Sequence, residues 1–188
     1  MTQALLGALK TVGLEGRTIL DVGCGAGDLV LAALRHGAVQ ATGIDLGGGA
    51  IAQARQLAEA RGLADRSRFE VGDGAVAALG RADVVVLNRV VCCYPNVEAL
   101  LANTLDATNR VYAFSAPVDR GAAGLLNRVV VRVSNGWYAI RRSKFRGFRT
   151  FVHDLDQIDA RVRGTGFVLV HRARRRVVWE FAIYNRQQ

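Results

Sequence analysis

The stretch TILDVGCGAGDL, residues 18–29, decides how this chain is read. Ile19, Leu20 and Val22 make the short apolar run expected of a buried parallel strand. Gly23, Gly25 and Gly27 then allow a sharp backbone turn and a ligand approach that meets no Cβ. A segment with helical spacing follows to about His36, and amide groups at a helix start suit a polar or anionic group. A strand, a glycine turn and a helix open an α/β domain. A dinucleotide fingerprint would need a third glycine where Asp28 stands, and a pyrophosphate gains nothing from Asp21 and Asp28.

Working outward, residues 3–12 have the spacing of a short helix. Gln40–Asp45 reads as a second strand, and residues 49–60 as a helix burying Ile51, Ala54, Leu57 and Ala58. Ser67–Asp73 and Ala82–Val91 read as strands three and four, Val97–Ala107 as a helix and Arg110–Ser115 as strand five. Residues 118–150 then fit neither period well. A helix at residues 154–163 and strands at Phe167–His171 and Val177–Tyr184 complete the pattern, with an arginine cluster between the last two. The expectation is one α/β domain over residues 1–188, carrying a basic and aromatic insertion, or lid, at about 118–150.

Composition narrows the class. Three cysteines make no disulfide framework, and no uncharged apolar run approaches the roughly 18–20 residues of a membrane span. The start, MTQALLGALKTVG, has no basic leader, so a cytoplasmic location is expected. The net charge is +9, almost all from arginine. Between Val118 and Thr150 eight basic residues face one acid, Asp119.

Asp45 ends the second strand 18 residues after Gly27, where a carboxylate can accept both hydroxyls of a ribose. Asp73 ends the third, where it can accept from an exocyclic amine. Each alone reads equally as a helix cap or a solvated acid. Together with the glycine turn they offer three functions at the carboxyl edge of a parallel sheet, where such folds bind ligands.

ILDVGCGAGDL, GID and VGD resemble the first three motifs of class I S-adenosylmethionine-dependent methyltransferases. The resemblance implies a Rossmann-like fold, with a seven-stranded, mostly parallel sheet, an antiparallel last strand and helices on both faces. It implies that Asp21, Gly23, Cys24, Gly25 and Gly27 hold the methionine part of S-adenosyl-L-methionine. Asp45 and Leu46 would hold the ribose side, Asp73 and Gly74 the adenine, and Asn88 would lie nearer the cofactor. Gly47-Gly48-Gly49 departs from the family, many members of which have a capping Ser there. In the later half, Tyr94-Pro95, FSAP, FRTFVHDLDQIDARVRGTGF and RVVWEFAIYNR are similar to magnesium protoporphyrin IX methyltransferases, which esterify a propionate. Those enzymes have His where this chain has Cys93, and a longer N-terminal arm.

On the acceptor side, Cys93, Tyr94 and His153 are the catalytic candidates, with Cys93 and Tyr94 lining the site. His36 and His171 read as structural. A site with few bases and many arginines fits a small anionic acceptor, most simply a carboxylate, which needs no general base. Arg128 and Arg132 share one face if Leu125–Val133 is a helix, and with Trp137 and Tyr138 they are the substrate-binding candidates. The same segment also allows contact with an anionic membrane surface. Nucleic acid is disfavoured, because Asn88-Arg89 lacks the Asn-Pro-Pro-aromatic motif of base amine methyltransferases. A scaffold that binds the cofactor without transferring methyl is a further reading. No metal site is expected from Cys24, Cys92 and Cys93, and a nucleophilic Cys93 is the lesser reading of that thiol.

Overall fold

In the computed structural model, residues 1–140, 149–175 and 177–187 are described. Arg141, Arg142, Lys144, Phe145, Arg146, Phe148 and Arg176 lie outside them. The apolar run Val84 to Leu87 is buried on both sides and forms the middle of a sheet. The strands are β1 (Thr18–Val22), β2 (Gln40–Asp45), β3 (Ser67–Val71), β4 (Ala82–Asn88), β5 (Thr108–Pro117), β6 (Phe167–Arg175) and β7 (Trp179–Arg186). Their order is β3-β2-β1-β4-β5-β7-β6, and β7 is antiparallel to both of its neighbours. The chain runs outward from β1 to β3 and then returns to β4 beside β1. That reversal opens a crevice at the carboxyl ends of β1 and β4.

Helices α1 (Thr2–Thr11), α2 (Asp28–Arg35) and α3 (Gly48–Ala60) cover one face through Leu5, Leu9, Leu31 and Ile51. Helices α4 (Val97–Asp106) and α6 (Leu155–Arg163) cover the other through Leu101, Leu105, Ile158 and Val162. Along β5, Val111 and Ala113 join the first core while Tyr112, Phe114 and Ala116 join the second, as the two-residue period requires. The Asp154 carboxylate caps α6 by accepting from the amides of Asp156 and Gln157.

Besides shifts of about two residues, such as β3 ending at Val71 rather than Asp73 and β7 spanning Trp179–Arg186, three larger differences from the sequence reading bear on the site. Strand β4 stops at Asn88 rather than Val91, because Arg89 turns the chain at φ 64°. Val90 then folds back over Gly23, where an added Cβ would stand 2.2 Å from Val90 Cγ2. Strand β6 runs through the arginine cluster instead of ending at His171. Arg172 and Arg174 reach the buried Glu180 on β7 at 3.8 and 3.7 Å, and Arg172 reaches Asp159 at 2.8 Å. These charges are sheet partners, so the cluster is no loop.

The third difference is the lid. Residues Gly121–Ile140 form one long helix, α5, which the mixed period concealed. Its inward stripe is polar and small. Gly124 lies so close to the chain that an added Cβ would stand 2.2 Å from Asp119 O. Asn127 Nδ2 donates to the carbonyls of Val118 and Val178 at 2.7 and 2.9 Å. Asn135 donates to Thr150 O at 2.8 Å and accepts from its amide at 2.9 Å. Helix α5 is thus fastened by amides while its large apolar residues point outward. Replacing Asn127 with Ala removes the bond to Val118 O, while Val178 O keeps the Val118 amide at 2.9 Å, and we expect urea unfolding to report a loss of about 1–3 kcal/mol.

Candidate functional site

The glycine turn is built by its own amides. The amides of Gly23 and Cys24 both donate to Ile44 O, at 2.7 and 3.0 Å, so the turn folds back onto the end of β2. Gly27 donates to Cys24 O at 3.0 Å. Gly25 donates to Asp45 Oδ2 and Gly47 to Asp45 Oδ1, both at 2.8 Å. One carboxylate therefore ties the first turn to the start of the second helix. The amides of Gly23, Cys24, Gly25 and Gly27 are thus spent inside the fold. The turn offers a ligand room instead, since an added Cβ at Gly25 would meet nothing within 4 Å.

Asp21 lies beneath this turn. It is 2 % exposed, and its Oδ1 has no hydrogen-bond partner. Burial, and then the charge of Asp45, push its carboxyl up to about 8. Cys24 turns its side chain inward, where an added Cβ on Gly43 would lie 2.7 Å from Cys24 Sγ. Its thiol is raised by burial and by Asp21, so its place at the turn rests on backbone rather than sulfur.

Asp73 Oδ1 accepts from the Ala75 amide at 2.9 Å and from the Tyr94 hydroxyl at 2.8 Å. The Tyr94 hydroxyl is held protonated by burial and by Asp73. This ties Tyr94 to the Asp73 side of the crevice. An added Cβ on Gly74 would lie 2.3 Å from Val22 Cγ1, so a larger residue would not fit beside β1. Leu46, Val71 and Val76 are exposed near the ends of β2 and β3, leaving apolar surface around Asp45 and Asp73. Asn88 spends both ends of its amide: Nδ2 donates to Thr2 Oγ1 at 2.9 Å and Oδ1 accepts from Ser115 Oγ at 3.0 Å.

Residues 149–154 return from α5 along the turn that holds the two cysteines. Phe151 N donates to Cys92 O at 2.7 Å, and His153 Nε2 lies 3.0 Å from Tyr94 O. Burial lowers the His153 pKa, and the carbonyls of Tyr94 and Val91 partly oppose that shift. Its ring fastens this strap to the turn. Cys93 Sγ lies 3.9 Å from Cys92 Sγ and 3.6 Å from Arg89 O. Its thiol pKa is lowered, chiefly by the hydrogen bond from Cys92, with burial opposing and Arg89 assisting.

Two basic recesses open nearby. A cleft of about 870 Å³ is lined by Arg128, Arg132, Asn135 and the strap from Thr150 to Asp154. The spacing of Arg128 and Arg132 was legible. Trp137 points elsewhere, lying 55 % exposed on the outer face of α5, and neither it nor Tyr138 lines this cleft. A smaller recess of about 280 Å³ is lined by Met1, Arg89, Arg175 and Trp179. The sequence reading missed Arg89, Arg175 and Trp179 as site residues. The signal was an arginine straight after a strand-end Asn, hidden by treating Val90-Val91 as more of β4. Among the described residues no group of three or more His, Cys, Asp or Glu could hold a metal ion.

Comparison with known proteins agrees with this geometry. Residues 19–110 match the family described as a methyltransferase domain. A ribosomal protein L11 methyltransferase from Pasteurella multocida is 44% identical over 80 residues, which is 43% of this chain and 27% of that protein. One from Yersinia pseudotuberculosis is 37% identical over 118 residues, 62% of this chain and 39% of that protein. The chain thus spans about a quarter to two fifths of the length of these relatives. The magnesium protoporphyrin IX methyltransferase of Synechocystis, solved with bound SAH, superposes with a TM-score of 0.77 at 19% identity. That match covers 99% of this chain and 82% of the other.

Asp21 supplies a test of the site's electrostatics. Its folded pKa lies above the usual carboxylate value, so the native state holds a proton that the unfolded chain has lost. Stability from that proton is complete below about pH 4 and disappears as pH rises through about 8. We expect a calorimetric Tm at about pH 8 lower than at about pH 5 by roughly 5 °C or more, and a flatter profile for Asp21→Asn.

Proposed function

We propose that this chain, whose residues 19–110 match a methyltransferase domain, binds S-adenosylmethionine as class I methyltransferases do and transfers the methyl group to a small anionic acceptor, most simply a carboxylate. The observation that carries the cofactor reading is the unpartnered, buried Oδ1 of Asp21 beneath the open Gly25. An ammonium group there would both partner that oxygen and favour the ionised carboxylate. Asp45, already accepting one amide on each oxygen, keeps a lone pair on each for a ribose hydroxyl. Leu46, Val71 and Val76 would cover an adenine ring, and the Asp73 carboxylate would accept from its amine.

When bound, S-adenosylmethionine supplies a methyl carbon made electrophilic by a sulfonium. The chain's task is then alignment, exclusion of water and orientation of the acceptor. Tyr94 donates to Asp73, and His153 is engaged with backbone carbonyls. Neither is placed to remove a proton. A carboxylate acceptor needs none removed, and Arg89 and Arg175 beside Trp179 can grip it. The cleft holding Arg128 and Arg132 would take the remainder of a larger amphipathic acceptor.

The resemblance to ribosomal protein L11 methyltransferases supports a second reading, a protein amine acceptor. That acceptor would require a base, and this favours the carboxylate. Location in the cytoplasm belongs to the same proposal.

For the cofactor, we expect calorimetry to show S-adenosylhomocysteine binding that Asp21→Asn weakens about tenfold or more while the Tm at pH 8 rises. Weaker binding together with lower stability would point to misfolding instead. For the acceptor, labelled methyl groups should pass to aromatic or amphipathic carboxylic acids, porphyrin propionates among them. Arg89→Ala should then raise KM about tenfold or more with a smaller change in kcat. Transfer to ribosomal protein L11 or to RNA, with none to any acid, would overturn the acceptor reading.

A further inference from the structure

Helix α5 carries an apolar face that stays exposed among the described residues. Leu125, Leu126, Val129, Val130, Val133, Trp137 and Ile140 are each more than half exposed, from 51% for Leu126 and Val130 to 84% for Ile140. At about 100° per residue they occupy one arc of about 140°, shared only with Ala122 and Gly136. Monomeric soluble proteins rarely leave so continuous an apolar stripe in water.

The helix cannot hide this face by rolling. Gly124 touches the Asp119 backbone, Asn127 holds the carbonyls of Val118 and Val178, and Asn135 holds Thr150. A rotation that buried Val129 and Val133 would break all three attachments. Rolling therefore leaves this face without cover among the described residues.

Charge identifies the occupant. From Arg120 to His153 the chain has eight basic residues and no acid. Arg128 and Arg132 flank one edge of the apolar arc, and Arg141, Arg142, Lys144, Arg146 and Arg149 follow the helix in sequence. A second copy of the chain would set two such segments against each other. RNA would meet the positive charge but would leave the apolar arc in water. A surface that is anionic above and apolar below satisfies both features.

We propose that the outer face of α5 lies in the interface of an anionic lipid bilayer, parallel to its plane. No helix among the described residues is long and apolar enough to cross a membrane, so the contact is a peripheral one. Leu125, Val129, Val133 and Ile140 enter the headgroup–acyl boundary, the Trp137 ring sits at its level, and the arginines bind lipid phosphates. The cleft containing Arg128 and Arg132 then opens beside the lipid surface, at the inner edge of the same helix. The contact stands on α5 alone and does not depend on methyl transfer.

The test uses the full chain with Trp179→Phe, which leaves Trp137 as its one tryptophan. We expect co-sedimentation with phosphatidylcholine vesicles containing about a third phosphatidylglycerol, at least about tenfold stronger than with phosphatidylcholine alone. Trp137 emission should shift to the blue on binding, and added salt should weaken it. Val129→Asp with Val133→Asp should reduce binding about tenfold or more at unchanged Tm; if that pair unfolds the chain, Leu126→Ser with Ile140→Ser serves instead. Binding that survives these substitutions in a folded chain overturns the proposal, as does failure to bind anionic vesicles. It is also overturned if the lipid-free chain forms dimers in sedimentation velocity that the same substitutions abolish, or if RNA quenches the lipid binding at equal charge.

Discussion

Asp45 holds the carboxyl edge of the sheet together. Its two oxygens accept from Gly25 on one side and Gly47 on the other, so one side chain sets where the first turn ends and where α3 begins. The cost falls on Asp21, buried below with an unpartnered oxygen and a second carboxylate close by. Burying an ionised carboxyl without a partner is expensive, and the free chain answers by keeping Asp21 protonated. A bound cation would reverse that preference. The same pair of acids therefore shapes the turn and makes it selective for a positively charged ligand.

The other half of the crevice is organised by hydrogen bonds to backbone rather than by free functional groups. The strap from Thr150 to His153 lies along Cys92 and Tyr94 and is fastened by Phe151 N and the His153 ring. Tyr94 is turned toward Asp73, and Asn88 is spent between Thr2 and Ser115. Positive charge lines both recesses: Arg89 and Arg175 in one, Arg132 and Arg128, which also donates to Asp119 O, in the other. The proposed anionic acceptor rests on these walls. Cys93 lies beside Arg89, but its lowered thiol pKa comes first from the hydrogen bond of Cys92, with Arg89 adding the smaller part.

The parallel half of the fold was legible because its strands are buried on both faces and their ends carry acids at a fixed edge. Asp21, Asp45 and Asp73 could be located from sequence, whereas their partners could not, because a carboxylate looks the same whether it caps a turn or awaits a ligand. Helix α5 was hidden by inverted amphipathicity: Gly124, Asn127 and Asn135 face inward while Leu125, Val129 and Val133 face out. The end of β4 was overrun because Val90 and Val91 continue an apolar run past the turn at Arg89. Strand β6 was cut short because Arg172 and Arg174 read as solvated charge, though they pair with Glu180 across the sheet. The misses at α5 and β6 came where polar groups took structural places, which periodicity does not register.

The central claim is that the protonation of Asp21 is coupled to a cationic ligand held above it. Carbon-13 NMR of the Asp21 carboxyl, titrated with and without saturating S-adenosylhomocysteine, reads that coupling directly. The account predicts a midpoint near 8 in the free chain, and one displaced well below neutrality in the complex. An Asp21 midpoint unchanged by a ligand that demonstrably binds would contradict it.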